Sequence, residues 1–311
     1  MAANQFPFKF PQVPSVLIAG CLLASGLVLG LGLAADDGVV APGATLKKLG
    51  DGYLFTEGPA ADAHGNVYFT DQPNDRIVRW DAATGTFTDW LRPAGRANGM
   101  AFDRAGNLLA CADDRNELWS ISPDRQIGVL VRDHDGKLLN GPNDLWIHPD
   151  GQVYFTDPLY RRPYWKRDPA PQQAGQYVYL LKPGGTPQPV ATDLKQPNGI
   201  IGTPDGRTLY VADIGAGRTY AYAIGPDGQL MDKRLFCELG SDGMTLDVEG
   251  NVYLTGRGVS VFNAEGRKIE QVDVPEGWTA NVTFGGADRD LLFITAGPAV
   301  YGIKTRVKGV R

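Results

Sequence analysis

The sequence predicts an all-β fold, a six-bladed β-propeller with a metal site in its central tunnel. Three observations support this prediction. A hairpin phrase occurs six times along the chain, its copies start on average 44.8 residues apart, and every copy begins with an acidic or amide residue. Propeller blades are four-stranded units of about 40–50 residues. Six such units would fill residues 45–311 and leave no room for another domain.

Each copy contains a short apolar strand, a turn and a second apolar strand. The first residues of the copies, called the head residues below, are Glu57, Asn98, Asn143, Asn198, Asp242 and Asn281. Five copies have a glycine eight residues after the head residue, where a hairpin turn requires positive φ. Strand-like runs such as 76–81 and 117–122 lie between the copies and bring the number of strands per repeat to four. We expect the strand near 46–55 to pair with the run near 300–304 and close the ring.

The N-terminus has the composition of an export segment. Residues 1–34 are predicted to be a signal peptide or an N-terminal signal anchor, because the run 16–33 is uncharged and apolar. A lipobox-like sequence ending at Cys21 is a third alternative. All three place the folded part outside the cytoplasm, either periplasmic or secreted, or anchored to the membrane through residues 16–33. Residues 35–44 are predicted to be a short linker.

Composition excludes several functional classes. The chain is 43% hydrophobic, which is sufficient for a core and rules out disorder. It carries 30 basic and 35 acidic residues without a long basic run, so nucleic acid is not expected as a partner. No protein partner is implied. The sequence has no G-x-S-x-G elbow, P-loop or G-x-G-x-x-G, and only three histidines.

The head residues predict a metal site. Equivalent positions of propeller blades lie on one ring around the axis, so two carboxylates and four amides would converge there. Such oxygen ligands suit a hard cation such as Ca²⁺, whereas zinc prefers imidazole or thiolate. An alternative is that Asn98, Asn198 and Asp242, each followed by glycine, are ordinary turn residues. Glu57 and Asn143 do not fit that alternative.

Several motifs resemble those of one family. The chain is similar over residues 46–302 to the family of senescence marker protein, gluconolactonase and luciferin-regenerating enzyme, and specifically to its bacterial gluconolactonase branch. The resemblance depends on the motifs Thr56–Pro59, Leu139–Asp144, Tyr154–Pro158, Gln196–Gly199, Leu209–Asp213 and Asp242–Met244. It implies a six-bladed propeller that holds a divalent metal, usually Ca²⁺, in the tunnel.

The resemblance also implies roles for individual residues. Glu57, Asn198 and Asp242 correspond to metal ligands, and Asn143 to a fourth ligand or a substrate contact. One position departs from the family pattern, because some members carry a sugar-contacting arginine where this chain has Gly141. Related propellers with similar metal centres act on other compounds, so the metal alone does not define the substrate.

These roles lead to a mechanistic hypothesis, the metal-dependent hydrolysis of a sugar lactone such as gluconolactone to the aldonic acid. Ca²⁺, with Mg²⁺, Mn²⁺ or Zn²⁺ as alternatives, would polarise the carbonyl group. Asp242, with Glu57 as second candidate, would be the catalytic base that activates water. The amides of Asn98, Asn143 and Asn281 would bind the ring hydroxyls or the oxyanion.

Two other functions remain open. One is a different metal-dependent hydrolase on the same scaffold, acting on an aryl ester, an organophosphate or an acyl lactone. The other is a non-catalytic exported propeller that binds a ligand and uses Ca²⁺ only structurally. A polar tunnel mouth would favour sugars, and an apolar mouth would favour acyl chains.

The longest interval between head residues, from Asn143 to Asn198, contains an aromatic and basic run at 159–167, called the lid below. One interpretation is a lid over the tunnel mouth that suits a polyhydroxylated or anionic sugar. The other is a surface loop whose Trp165 packs on the rim.

Overall fold

The computed structural model describes residues 38–166, 168 and 170–310. Within these residues the chain forms six four-stranded antiparallel sheets and one two-stranded sheet. This arrangement confirms the predicted all-β, six-bladed propeller. The predicted export segment 1–34, including Cys21, and the first residues of the predicted linker lie outside the described residues.

The strands follow one another from the innermost to the outermost position of each blade, and the last blade takes its outermost strand from the N-terminal side of the chain. This strand is β1 (Lys47–Asp51). Blade 1 contains β2 (Thr56–Ala61), β3 (Val67–Asp71), β4 (Arg76–Trp80) and β5 (Phe87–Leu91). Blade 2 contains β6 (Ala97–Phe102), β7 (Leu108–Ala112), β8 (Glu117–Ile121) and β9 (Ile127–Val131). The short pair that follows is β10 (Asp133–His134) and β11 (Lys137–Leu138).

The remaining blades repeat this order. Blade 3 contains β12 (Leu145–Ile147), β13 (Val153–Asp157), β14 (Tyr177–Leu181) and β15 (Gln188–Ala191). Blade 4 contains β16 (Pro197–Gly202), β17 (Thr208–Asp213), β18 (Arg218–Ile224) and β19 (Leu230–Cys237). Blade 5 contains β20 (Met244–Leu246), β21 (Val252–Gly256), β22 (Gly258–Phe262) and β23 (Lys268–Val272). Blade 6 contains β24 (Thr279–Gly285), β25 (Leu291–Ala296) and β26 (Ala299–Lys304), to which β1 is added.

The hairpin turns between the first two strands of the blades adopt the predicted conformation. Gly65 and Gly250 have φ of 82° and 84°, which glycine adopts without a steric penalty. The sixth copy has Arg289 at this position, and its backbone still takes φ of 55°. Because the sixth copy keeps positive φ at this position without a glycine, the surrounding propeller, and not glycine alone, determines the backbone conformation of the turn.

Apolar side chains fill the spaces between neighbouring blades. Cys111 of blade 2 packs in one cluster with Phe155 and Tyr179 of blade 3, and all three are fully buried. Across the closure, the rings of Phe69 in blade 1 and Phe293 in blade 6 lie 5.8 Å apart. Each fully buried side chain of this size contributes about 1.5–3 kcal/mol. The sheets are therefore held by packing on both faces, which requires the continuous apolar strands that the sequence shows.

The ring closes through the N-terminal strand, as the sequence predicts. Lys47 of β1 pairs with Gly302 of β26 in an antiparallel register. The segment before β1, which the sequence assigns to a linker, contacts the same blade: Val39 is 1% exposed in its core, and Val40 forms a β-bridge with Thr305. Closure leaves blade 6 with four strands and pairs an edge that would otherwise be open.

Helical structure in the described residues is limited to two three-residue 3₁₀ turns, Gln72–Asn74 and Ile214–Ala216. Among residues 38–310, apart from the two that are not described, no helix has the length and apolar character needed to cross a membrane.

Candidate metal and substrate site

The head residues occupy irregular positions at one end of the innermost strands. In blade 1, the pairs Glu57–Thr70 and Ala60–Tyr68 enclose one extra residue on the inner strand, which is a β-bulge. The same extra residue occurs at the head of blades 2, 4 and 6. In blades 3 and 5 the head residue instead precedes the strand by two positions. Bulges redirect side chains and are frequent next to active sites. The sequence did not predict these bulges.

The glycines that follow the head residues allow adjacent blades to approach closely. A Cβ atom on Gly99 would lie 2.2 Å from Oδ1 of Asp144, and one on Gly243 would lie 1.9 Å from Cγ of Asn281. Neither Gly243 nor Gly99 has positive φ. Glycine is therefore required at these two positions by the neighbouring blade and not by a turn, which argues against the turn-residue alternative.

Asp242 is held by two side chains from neighbouring positions of the ring. Nδ2 of Asn198 donates to its Oδ1 at 2.9 Å, and Nε1 of Trp278 donates to its Oδ2 at 2.6 Å. Burial raises the pKa of Asp242 to about 6, although both hydrogen bonds and the positive charge of Arg162 lower it. A carboxylate with this pKa is ionised at neutral pH and still basic enough to accept a proton.

Glu57 lies on the other side of the same volume and is 2% exposed. Its Oε2 accepts the backbone N–H of Gly58 at 2.5 Å, and the side chain of Asn281 also donates to it. Burial, followed by the negative charge of Asp242, raises the pKa of Glu57 well above its ordinary value. The two carboxylates therefore repel each other across a space that favours a positive charge.

Two amide oxygens at the ring lack partners. Oδ1 of Asn98 and Oδ1 of Asn198 are buried and accept no hydrogen bond from the described part of the chain. A buried acceptor without a partner costs about 1–3 kcal/mol, so such atoms indicate a missing ligand. Among the described residues no three His, Cys, Asp or Glu side chains form a metal site by themselves. Two carboxylates together with amide oxygens fit a hard cation such as Ca²⁺.

A third carboxylate, Asp144, belongs to this region and was not predicted. It is buried beside the head residue Asn143, and the side chain of Asn281 donates to it. Burial raises the pKa of Asp144 to about 8. The signal in the sequence was the pair Asn143–Asp144, which has an acid where four of the other five copies have glycine. Asn143 itself is 4% exposed, and its backbone oxygen accepts the N–H of Gly99 at 2.7 Å, which joins blades 2 and 3.

Residues 159–166 of the lid, the part that the structure describes, contact both the head-residue ring and the rim of the propeller. The hydroxyl of Tyr160 accepts a hydrogen bond from Nδ2 of Asn198 at 2.9 Å, so the lid reaches the ring. Trp165 packs on the rim and donates to the backbone oxygen of Asp113 at 3.1 Å. A Cβ atom on Gly141 would lie 2.9 Å from Oδ1 of Asp113 and 3.4 Å from Trp165. With the lid in this position, a larger side chain at residue 141 would not fit.

A second concavity, of about 530 Å³, lies at the opposite end of the blades beside Asp247 and Lys308. Both carboxylate oxygens of Asp247 are hydrogen-bonded, to the backbone and side chain of Asn251 and to the hydroxyl of Tyr253. This concavity contains no head residue, and the carboxylate of Asp247 is fully used in hydrogen bonds within its own hairpin. The head-residue ring is therefore the better candidate.

The chain is similar to known proteins over most of its length. The family model described as the SMP-30/Gluconolactonase/LRE-like region matches residues 55–297. A gluconolactonase from Zymomonas mobilis is 24% identical over 302 residues, which cover 88% of this chain and 85% of that protein. A pentonolactonase from Haloferax volcanii is 28% identical and covers 74% and 76% of the two chains. The structure of a gluconolactonase from Xanthomonas campestris superposes with a TM-score of 0.81 at 33% identity, covering 88% of this chain and 93% of that one.

Proposed function

The chain belongs to the SMP-30/gluconolactonase/LRE-like family, and from this premise we propose that it hydrolyses a sugar lactone such as gluconolactone with the help of a divalent cation, Ca²⁺ in the first place. Its relatives include a gluconolactonase and a pentonolactonase, and the chain is a lactone hydrolase. The observation that carries the proposal is that Asn198 donates from Nδ2 to Asp242 at 2.9 Å, while its own buried amide oxygen has no partner.

The residues that would hold the cation are Glu57, Asn143, Asn198 and Asp242. They supply two negative charges and two amide groups in a volume where uncompensated carboxylates are unfavourable. A bound divalent cation supplies Lewis acidity that polarises the lactone carbonyl. Ca²⁺ suits this all-oxygen set and tolerates irregular geometry, with Mg²⁺, Mn²⁺ or Zn²⁺ as alternatives.

Asp242 is the residue we propose as the base. Trp278 and Asn198 fix its two oxygens by hydrogen bonds of 2.6 and 2.9 Å, so the carboxylate presents its remaining lone pairs in a defined direction. It would take a proton from the attacking water and return it to the leaving alkoxide of the opened ring. Glu57 has a pKa raised by burial and by Asp242, which makes it a less suitable base at neutral pH.

The polar surroundings favour a sugar substrate. Asn98 and Asn143 can bind ring hydroxyls, and the lid adds the Tyr160 hydroxyl and the Arg162 guanidinium near the ring. The amide of Asn281 already donates to Glu57 and Asp144 and accepts the N–H of Val282. An acyl chain would leave these polar groups without partners, which costs free energy. This polarity supports a sugar lactone over an acyl lactone or an aryl ester.

A direct test measures proton release from glucono-1,5-lactone by pH-stat, first with EDTA and then with each divalent cation added back. We expect hydrolysis above the spontaneous rate only with cation, Ca²⁺ being effective, and little hydrolysis of an acyl lactone or an aryl ester. Full activity in EDTA would contradict the metal dependence. Cation-dependent stabilisation without hydrolysis of any of these compounds would favour the non-catalytic alternative.

A further inference from the structure

The lid is anchored on the neighbouring blade through Asp113. Nε of Arg162 donates to Oδ2 of Asp113 at 3.1 Å, the hydroxyl of Tyr164 donates to the same oxygen, and the indole of Trp165 donates to the Asp113 backbone. The guanidinium of Arg96 lies 4.3 Å from the centre of the Tyr164 ring. Four side chains thus hold a segment that leaves blade 3 against blade 2.

Equivalent aspartates in other blades have a simpler role. Asp157 and Asp213 end the second strands of blades 3 and 4 and accept backbone N–H groups from the segment that enters their own blade. Asp113 directly follows the second strand of blade 2, and its carboxylate accepts the Arg162 and Tyr164 side chains of the lid. The lid therefore uses a repeated structural position as its attachment point.

Beyond this anchor, the lid touches the candidate cation site through Tyr160. Nδ2 of Asn198 has two hydrogens, and it donates to the hydroxyl of Tyr160 and to Oδ1 of Asp242, both at 2.9 Å. With both donors used, Oδ1 of Asn198 must face the other way, where it is buried and unpaired. The guanidinium of Arg162 lies 5.3 Å from the centre of the Tyr160 ring and connects this contact to the Asp113 anchor.

We propose that Tyr160 is a positioning residue that holds the amide of Asn198 with Oδ1 towards the cation, and thereby links lid closure to cation binding. This inference rests on the proposed function, because it requires a cation at the ring. Without the hydroxyl, the amide loses one of the two bonds that oppose its rotation, and rotation would present the Nδ2 hydrogens to the cation. Linkage is reciprocal, so a bound cation must also stabilise the closed lid.

The test compares Ca²⁺ binding by the metal-stripped wild-type protein, Tyr160→Phe and the control Tyr154→Phe, by calorimetric titration. Tyr154 is a buried tyrosine whose hydroxyl donates to Gly228 at 2.7 Å, away from the ring. We expect Tyr160→Phe to bind Ca²⁺ about 10-fold more weakly, as is typical when a residue that orients a ligand is lost. Tyr154→Phe should bind Ca²⁺ like the wild type.

A second measurement detects the lid directly. Arg161 and Lys166 are exposed in the lid, so trypsin can cleave there when it opens. Ca²⁺ should slow this cleavage in the wild type and in Tyr154→Phe, and have a much smaller effect in Tyr160→Phe. Asp113→Asn, which weakens the anchor without touching Asn198, should also weaken Ca²⁺ binding, and it tests the linkage independently of how well Tyr160→Phe folds.

The outcomes separate the two proposals. If the wild-type protein binds no cation, both the proposed metal dependence and the role of Tyr160 are wrong. If the wild type binds Ca²⁺ and Tyr160→Phe binds it within two-fold of the same affinity, only the positioning role is overturned. Unchanged Ca²⁺ affinity in Asp113→Asn, together with Ca²⁺-independent cleavage of the wild-type lid, would overturn the linkage.

Discussion

The first two strands of each blade form a hairpin with a turn end and, at the other end, the head residue. Polar side chains at the two ends differ in whether their oxygen atoms have hydrogen-bond partners. At the turn end, Asp62, Asp103 and Asp247 each accept backbone N–H groups of their own turn and the side-chain amide of an asparagine four residues later, at 2.8 Å. At the head end, Oδ1 of Asn98 and of Asn198 has no partner in the described chain, and the carboxylates have raised pKa values.

This difference distinguishes structural from functional polar residues. The turn-end aspartates find these hydrogen-bond partners within six residues of the chain, so the bonds need no contact with another blade. The head residue Asp242, in contrast, receives a side-chain hydrogen bond from another blade, through Asn198. The ring therefore concentrates charge and unpaired oxygens at a cost in stability, which is common at functional sites.

The largest expected contrast is between Asp242→Asn at the head end and Asp247→Asn at the turn end. Asp242→Asn should lower kcat at saturating Ca²⁺ by about 10³-fold, because the proposed base is lost. Asp247→Asn should keep near-normal kcat and lose about 1–3 kcal/mol of unfolding free energy, since Asn251 and Tyr253 lose a charged acceptor. Lactone hydrolysis and urea denaturation measure the two effects.

The same pair of variants can also contradict this assignment. Near-normal turnover in Asp242→Asn would exclude Asp242 as the base and leave Glu57 as the next candidate. Equal losses of activity in both variants would show that the two ends are not functionally distinct.

The sequence was sufficient to predict the fold, whereas the roles of the head residues stay predictions and the geometry around them could not be predicted. The repeat spacing predicted six blades because each blade needs about the same length of chain. The role of Asp144 as a third buried acid and the hydrogen bond from Trp278 were not predicted, because they depend on how blades approach across the axis. The bulges at the head residues also depend on strand register, which hydrophobic periodicity does not specify.

A pH titration of the metal-free protein tests the charge contrast. Burial raises the pKa of Asp242 to about 6 and that of Asp144 to about 8 in the folded state. A carboxyl whose pKa is raised by folding binds its proton more tightly in the folded state. Its contribution to stability is therefore lost as the pH rises from about 4, the pKa in the unfolded chain, through the folded pKa. If both carboxyls titrate independently, we expect the unfolding free energy to fall by about 5 kcal/mol between pH 5 and pH 8.

Two controls sharpen that expectation. Ca²⁺ should raise the unfolding free energy more at pH 8 than at pH 5, because more of the carboxyl groups are deprotonated at pH 8 and can bind the cation. Asp242→Asn should flatten part of the pH dependence. If the unfolding free energy of the metal-free protein rose steadily from pH 5 to pH 8, other titrating groups would determine the pH dependence. The pKa values of the ring carboxyls would then not be raised by folding.

The smallest effect concerns two asparagines of blade 2, one at each end of the same hairpin. Nδ2 of Asn107 donates to Asp103 at 2.8 Å, so Asn107→Ala should destabilise the protein by about 1 kcal/mol with unchanged hydrolysis. Asn98→Ala removes a buried oxygen that has no partner, and it should leave the metal-free stability within about 0.5 kcal/mol of wild type. It should instead raise KM for the lactone, because the amide is proposed to bind a ring hydroxyl. If Asn98→Ala destabilised the metal-free protein as much as Asn107→Ala and left KM unchanged, Asn98 would be a structural residue like those at the turn end.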